Sequence, residues 1–146
     1  MKIVIVDDEP KIRNGLSKLL SSRPGFEIIG VFENAMEALE QLSVSYADVI
    51  ITDIKMPEIN GLDLINRIRE KYENTKIIIL SGYSDFSFAQ RAIELGVTRY
   101  LTKPTNAREL IGILEEIEKN IQKPRSEEKQ EMKVTNLFVK KAMDYI

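Results

Sequence analysis

The sequence contains no cysteine, no histidine and no tryptophan. Without cysteine there is neither a disulfide framework nor a thiolate metal site. Without histidine the chain has no imidazole base, no imidazole metal ligand and no phosphohistidine of its own. No apolar run approaches the roughly 18 residues that a membrane span needs. The opening MKIVIVDD is too short and too soon charged for a signal peptide. A cytoplasmic location with no membrane partner is therefore expected. Neither sign of charge dominates: 21 Lys/Arg face 23 Asp/Glu, a net of −2. Residues 1–120 carry −4 and residues 121–146 carry +2. An acidic main segment is a poor nucleic-acid binder by itself, because duplex binding is dominated by phosphate neutralisation.

A chain of 146 residues is normally one domain with room for a short appendage, long enough to bury a core without metal or disulfide support. Five short apolar runs punctuate it: KIVIV (2–6), FEIIGVF (26–32), DVIIT (48–52), KIIIL (76–80) and TRYLT (98–102). Several are apolar on consecutive residues, the pattern of strands covered on both faces, as in a parallel sheet. Helical stripes lie between them. The first, about 10–22, has Pro10 near N1 and a face of Ile12, Leu16, Leu19 and Leu20. The second starts near Asn34, with Ala35, Leu39 and Leu42; the third, about 61–72, offers Leu62, Ile65, Ile68 and Tyr72. The fourth, about 84–95, offers Phe86, Phe88, Ala89, Ala92 and Ile93 and stops at Gly96, a C-cap. The fifth opens with Asn106 and Glu109, a capping-box variant, and runs through Leu110, Ile113, Leu114, Ile117 and Ile121 before Pro124. Five βα units in series imply an α/β fold with a doubly wound parallel sheet, (βα)5, and right-handed crossovers.

In such sheets the site lies outside the carboxyl ends of the strands. The residues just after each strand are Asp7-Asp8-Glu9, Asn34, Asp53, Ser81 and Lys103. Each has a plain structural reading: Asp7 or Asp8 as a helix cap, Asp53 as a turn residue, Ser81 as a loop opener, Lys103 as a solvated surface lysine, Tyr100 as core packing. Their joint placement on one sheet edge favours function. Carboxylates held together repel, and a hard divalent cation relieves that repulsion. Mg²⁺ takes octahedral oxygen ligands, commonly one or two carboxylates plus waters and phosphate oxygens.

With those residues in place, the chain over about residues 1–120 resembles bacterial response-regulator receivers. The resemblance rests on V-D-D-E-P at 6–10, T-D-I-K-M-P-x-x-x-G from Thr52 to Gly61, the hydroxyl of Ser81, and Y-L-x-K-P from Tyr100 to Pro104. It implies a flavodoxin-like sheet with strand order 2-1-3-4-5. It implies Asp53 as the phosphoacceptor, charged by a sensor histidine kinase, in a regulatory domain rather than an enzyme with a separate substrate. Mg²⁺ would be held by Asp8, Asp53 and the backbone carbonyl of Lys55, with Asp7 acting through a water. Lys103 and Ser81 would bind the phosphoryl group, Tyr100 would report the change by turning inward, and the Lys103–Pro104 peptide would be cis. Lys55 and Tyr83 occupy loop positions that in this family influence loss of the phosphoryl group. Homodimerisation on phosphorylation is a further implication. Ser at position 81, where Thr is commoner, keeps the hydroxyl.

The expected domain is 1–121, followed by a charged linker at 122–133 and, at 134–146, the start of a helical segment striped with Val134, Leu137, Phe138, Ala142, Tyr145 and Ile146. VKKAMDYI resembles the opening helix of an AraC-type helix-turn-helix module. A transcriptional output that contacts DNA only through a missing carboxyl-terminal domain is therefore expected. The alternative is a stand-alone receiver acting through protein partners. A haloacid-dehalogenase-type phosphatase wants a second acid two residues after its Asp, where this chain has Lys55. Neither G-x-G-x-x-G nor G-x-x-x-x-G-K-S/T is present, against dinucleotide and nucleotide binders. A flavodoxin-like FMN site would need a hydroxyl-rich phosphate loop after the first strand, where this chain has DDEP, which repels phosphate unless a metal intervenes.

Overall fold

The computed structural model describes residues 1–82 and 86–121. Tyr83, the expected first turn of the fourth helix at 84–85, the linker and the tail segment lie outside the described residues. The chain divides into two units, residues 1–111 and a second beginning at Gly112, of which residues 112–121 are described.

Five strands alternate with five helices in chain order. They are β1 (Lys2–Val6), α1 (Pro10–Ser21), β2 (Glu27–Phe32), α2 (Ala35–Leu42), β3 (Val49–Thr52), α3 (Gly61–Lys71), β4 (Lys76–Ser81), α4 (Phe86–Glu94), β5 (Arg99–Thr102) and α5 (Ala107–Ile121). The strands form one parallel sheet in the order β2-β1-β3-β4-β5, as expected. β3 is central and every one of its residues is buried. That explains its unbroken VIIT, since a strand covered on both faces has no polar face to alternate with. On one face Val4, Val6, Ile50, Ile77 and Ile79 join Ala35, Ala38 and Leu42 of α2, Leu64, Ile65 and Ile68 of α3 and Ala92 of α4 in a single core. The alternate residues Ile3, Ile5, Val49, Ile51, Ile78 and Leu80 are equally buried.

Helix ends follow the expected chemistry in most places. Asn34 caps α2 by accepting the Glu37 amide at 2.9 Å, and Asn60 caps α3 by accepting the Asp63 amide at 2.9 Å. Asn106 accepts the amides of Arg108 and Glu109 at 2.8 and 3.2 Å. α4 closes in a Schellman motif, with Gly96 at φ 71° and amides of Gly96 and Val97 returning to Ile93 and Ala92 at 3.0 and 3.2 Å. α1 begins at Pro10 with Glu9 as N-cap and no side-chain cap. That leaves Asp7 and Asp8 outside the capping role.

The stripe read along the fourth helix needs correction. Phe86 and Ile93 are 78% and 75% exposed. The buried line is instead Phe88, Ala92 and Leu95, spaced i, i+4, i+7, whereas Phe86 and Ile93 form a second i, i+7 line on another side. Tyr72 falls just past α3 in extended backbone, and its hydroxyl donates to Leu42 O at 2.8 Å.

Candidate functional site

Parallel register carries the acidic residues to one edge. Val6 pairs with Thr52, so Asp7 and Asp53 leave their strands side by side, and the Asp53 amide donates to Val6 O at 3.1 Å. One ligand oxygen from each of Asp7, Asp8 and Asp53 can be found within 4.8 Å of the others. Asp7 and Asp53 are 2% and 5% exposed; Asp8 is exposed. β4 and β5 add the remaining members. Ser81 is fully buried at the end of β4 and pairs with Thr102, and Ser81 O accepts the Lys103 amide at 2.8 Å. The Lys103–Pro104 peptide is cis.

Lys103 is the electrostatic centre. Its ammonium lies 2.9 Å from Asp53 Oδ2, 3.0 Å from Asp7 Oδ2 and 2.6 Å from Glu9 Oε1. Burial pushes its pKa down, but the bonds to Glu9, Asp53 and Asp7 together outweigh burial and hold it above the ordinary lysine range. Burial also raises the Asp7 carboxyl above its ordinary value; the Glu9 amide at 2.9 Å and Lys103 pull it back only in part. Asp53 is oriented from its own loop. Its Oδ1 accepts the Ile54 amide at 2.6 Å, and its carbonyl accepts the Thr52 hydroxyl at 2.9 Å.

The loop after β3 shapes the rest. Glu58 takes a positive φ of 68° in a tight turn where the Ile59 amide reaches Pro57 O at 2.8 Å, backbone strain of a kind that gathers at functional sites. The turn returns Gly61 beneath Asp53, its amide donating to Ile54 O at 2.7 Å. A methyl group on Gly61 would overlap the Asp53 carbonyl oxygen. Close approach, rather than a left-handed backbone, is what requires glycine here.

Asp8, Glu9, Asp53, Lys55, Gly82 and Lys103 together line an open cleft of about 490 Å³. Tyr100 is half-buried and packs against the core beside α4. Lys55 is exposed, with its ammonium 5.6 Å from the ring centroid of Phe88. Glu9, given no role from sequence, is thus the shortest partner of Lys103. Adjacency to Asp7-Asp8 placed it at the edge, but nothing local showed that a residue 94 positions away would meet it.

A buried carboxylate pair, Asp8 and Glu9 at the rim, Lys103 bonded among the acids and Lys55 on the wall of an open cleft make an acidic, phosphate-sized site at the carboxyl edge of a doubly wound sheet. Arrangement and fold together define a class of α/β switch and binding domains. Comparison with known proteins narrows this. Residues 3–115 match the response regulator receiver domain family, and the chain belongs to that family. It is 37% identical over 117 residues to the uncharacterized transcriptional regulatory protein YesN of Bacillus subtilis, covering 80% of this chain and 32% of that protein. It is 38% identical over 104 residues to the transcriptional regulatory protein LytR of Staphylococcus aureus, covering 71% and 42%. The response regulatory domain of mrkE from Klebsiella pneumoniae superposes with a TM-score of 0.78 at 27% identity, covering 85% of this chain and all of that one. The REC domain of AraT, a response regulator from Geobacillus stearothermophilus, gives 0.73 at 35% identity, covering 83% and 95%. The chain thus spans about a third to a half of the length of the curated relatives it matches. Among the described residues no helix is long and apolar enough to cross a membrane.

Proposed function

We propose that this receiver domain is switched by phosphorylation of Asp53. The observation that carries the reading is the Asp53 carboxylate at the end of the central strand, bonded to Lys103 at 2.9 Å and clustered with Asp7 and Asp8. The donor set fits a hard cation. It is all oxygen, carboxylate and carbonyl, with no imidazole or thiolate in the chain to favour a softer metal. Asp8, Asp53 and the Lys55 carbonyl would hold Mg²⁺ directly, and Asp7 through a water. When bound, the ion would supply positive charge against the phosphoryl oxygens.

The chain's own residues do the rest. A carboxylate oxygen of Asp53 attacks phosphorus on a phosphohistidine of the sensor kinase. The P–N bond breaks, the new P–O bond forms an acyl phosphate, and the imidazole leaves with the electron pair and takes a proton from solvent. Little covalent chemistry is asked of the protein beyond positioning and charge stabilisation. The Ile54 amide aims Asp53, Lys103 meets the equatorial oxygens, and Ser81 offers a hydroxyl. Tyr100, next to the core, reports the change. Relatives named as transcriptional regulators and the basic tail support an output on DNA through a domain beyond residue 146, of the AraC-type helix-turn-helix class. Self-association on phosphorylation belongs to the same reading.

Intact-mass spectrometry after incubation with acetyl phosphate tests the switch. One phosphoryl group gained only with Mg²⁺, and none in Asp53→Ala, is the expected result. An equal gain in Asp53→Ala, or no gain in the wild type, removes the assignment.

A further inference from the structure

One cation belongs both to the cleft and to α4. Lys55 stands two residues after Asp53 and lines the cleft with it. Its ammonium also lies over the ring of Phe88, a half-buried residue of α4 packed against the core. The two ends of α4 are held differently. The carboxyl end is fixed by the Gly96 turn and by the Arg69 guanidinium, which donates to Leu95 O and Gly96 O at 3.1 Å each. Toward the amino end Phe86 is 78% exposed, and Ala92 is the helix's sole fully buried residue among those described.

Charge decides where Lys55 sits. The free Asp53 carboxylate already has the Lys103 ammonium on Oδ2 and the Ile54 amide on Oδ1. A phosphoryl group replaces one negative charge by roughly 1.5 to 2 and adds three strong acceptors. One lysine already shared among three carboxylates cannot serve them all. A charge-assisted bond to phosphoryl oxygen is stronger than a cation–π contact at an exposed position.

We propose that Lys55 carries the state of Asp53 to α4: it rests over Phe88 while Asp53 is a carboxylate and transfers to the phosphoryl group once one is present. Losing the cation, the amino-terminal half of α4 loosens from the cleft and pivots about the end that Arg69 anchors. The exposed Phe86 and Ile93 then change their presentation to partners. The inference rests on Asp53 being the phosphoacceptor.

Hydrogen exchange of the α4 amides, read by mass spectrometry with Mg²⁺ and with or without acetyl phosphate, tests it. Wild type, Phe88→Leu and Lys55→Met are compared at the phosphoryl occupancy measured by intact mass. Phe88→Leu, outside the cleft, is expected to take up phosphoryl as wild type does. Exchange over residues 86–90 should rise about threefold or more on phosphorylation of wild type, while residues 92–95 stay protected. In both variants exchange should already be raised without phosphoryl, and the further rise should fall below half of wild type. A wild-type-sized response in Phe88→Leu, or in phosphorylated Lys55→Met, overturns the inference and leaves Asp53 untouched. No phosphoryl uptake by wild type overturns both.

Discussion

At the carboxyl ends of the strands three carboxylates share one lysine, whereas at the amino ends one arginine is shared among five carbonyls. Lys103 meets Asp7, Glu9 and Asp53 within 3.0 Å. Arg69 donates to the carbonyls of Leu95, Tyr72, Glu73, Thr75 and Gly96 at 2.7 to 3.4 Å. Around it Thr75 donates to Ala47 O at 3.0 Å, Tyr72 to Leu42 O at 2.8 Å, and the Lys2 amide to Asp48 at 2.7 Å. The amino edge therefore uses the Arg69 guanidinium to satisfy the carbonyl ends of helices and turns. The carboxyl edge gathers more negative charge than Lys103 alone can balance. One edge is built for stability; the other holds like charges together, a cost that a cation can relieve.

The sharpest break between the edges comes from Asp53→Asn. Uptake of a phosphoryl group from acetyl phosphate, followed by intact mass, should be lost completely, while the urea midpoint stays at or above that of wild type. Gly61→Ala comes next. Its methyl group would press on the Asp53 carbonyl, so urea unfolding should show a loss on the order of 3 kcal/mol, with weaker Mg²⁺ binding by titration. Arg69→Met should cost about 2 to 3 kcal/mol by leaving carbonyls unmatched, with phosphoryl uptake retained, since it lies at the other edge. A variant at Arg69 that removed uptake without unfolding would show that the two edges do not divide their labour.

The smallest effect has the opposite sign. Burial raises the Asp7 pKa, so the fold disfavours its carboxylate relative to the unfolded chain. Its stabilising contribution is fully present below the ordinary carboxyl value of 3.8 and is lost as pH rises through the raised folded value. Asp7→Asn should therefore unfold at slightly higher urea than wild type near neutral pH without Mg²⁺, and the gap should close as pH falls. Lys103 also has a raised pKa, and its contribution is lost only in strongly alkaline solution. Equal stability of Asp7→Asn and wild type at neutral pH would show that Lys103 already balances the edge.

Much of this was readable in the chain. Consecutive apolar residues in IVIV, VIIT and KIIIL marked buried parallel strands, and all five strands begin and end within a residue of where those runs do. The order of strand ends brought Asp7, Asp8, Asp53, Ser81 and Lys103 to notice together. What stayed hidden was each choice made between distant segments. Glu9 as a partner of Lys103, Arg69 as a clamp and Lys55 over Phe88 all depend on neighbours brought in by other strands and helices. Phe86 and Ile93 misled because hydrophobicity marks a side chain that gains from burial, not whether a neighbour exists to bury it.

By itself, then, the sequence determined the alternation of elements, their starts at Asn34 and Asn106, and which residues follow each strand. These depend on local periodicity and on groups a few residues apart. Tertiary structure alone decided which carboxylates share the lysine, how far Asp7 and Lys103 depart from ordinary titration, and which side of α4 meets the core. Those are set by through-space distance and by burial, and neither is a property of neighbouring positions in the chain.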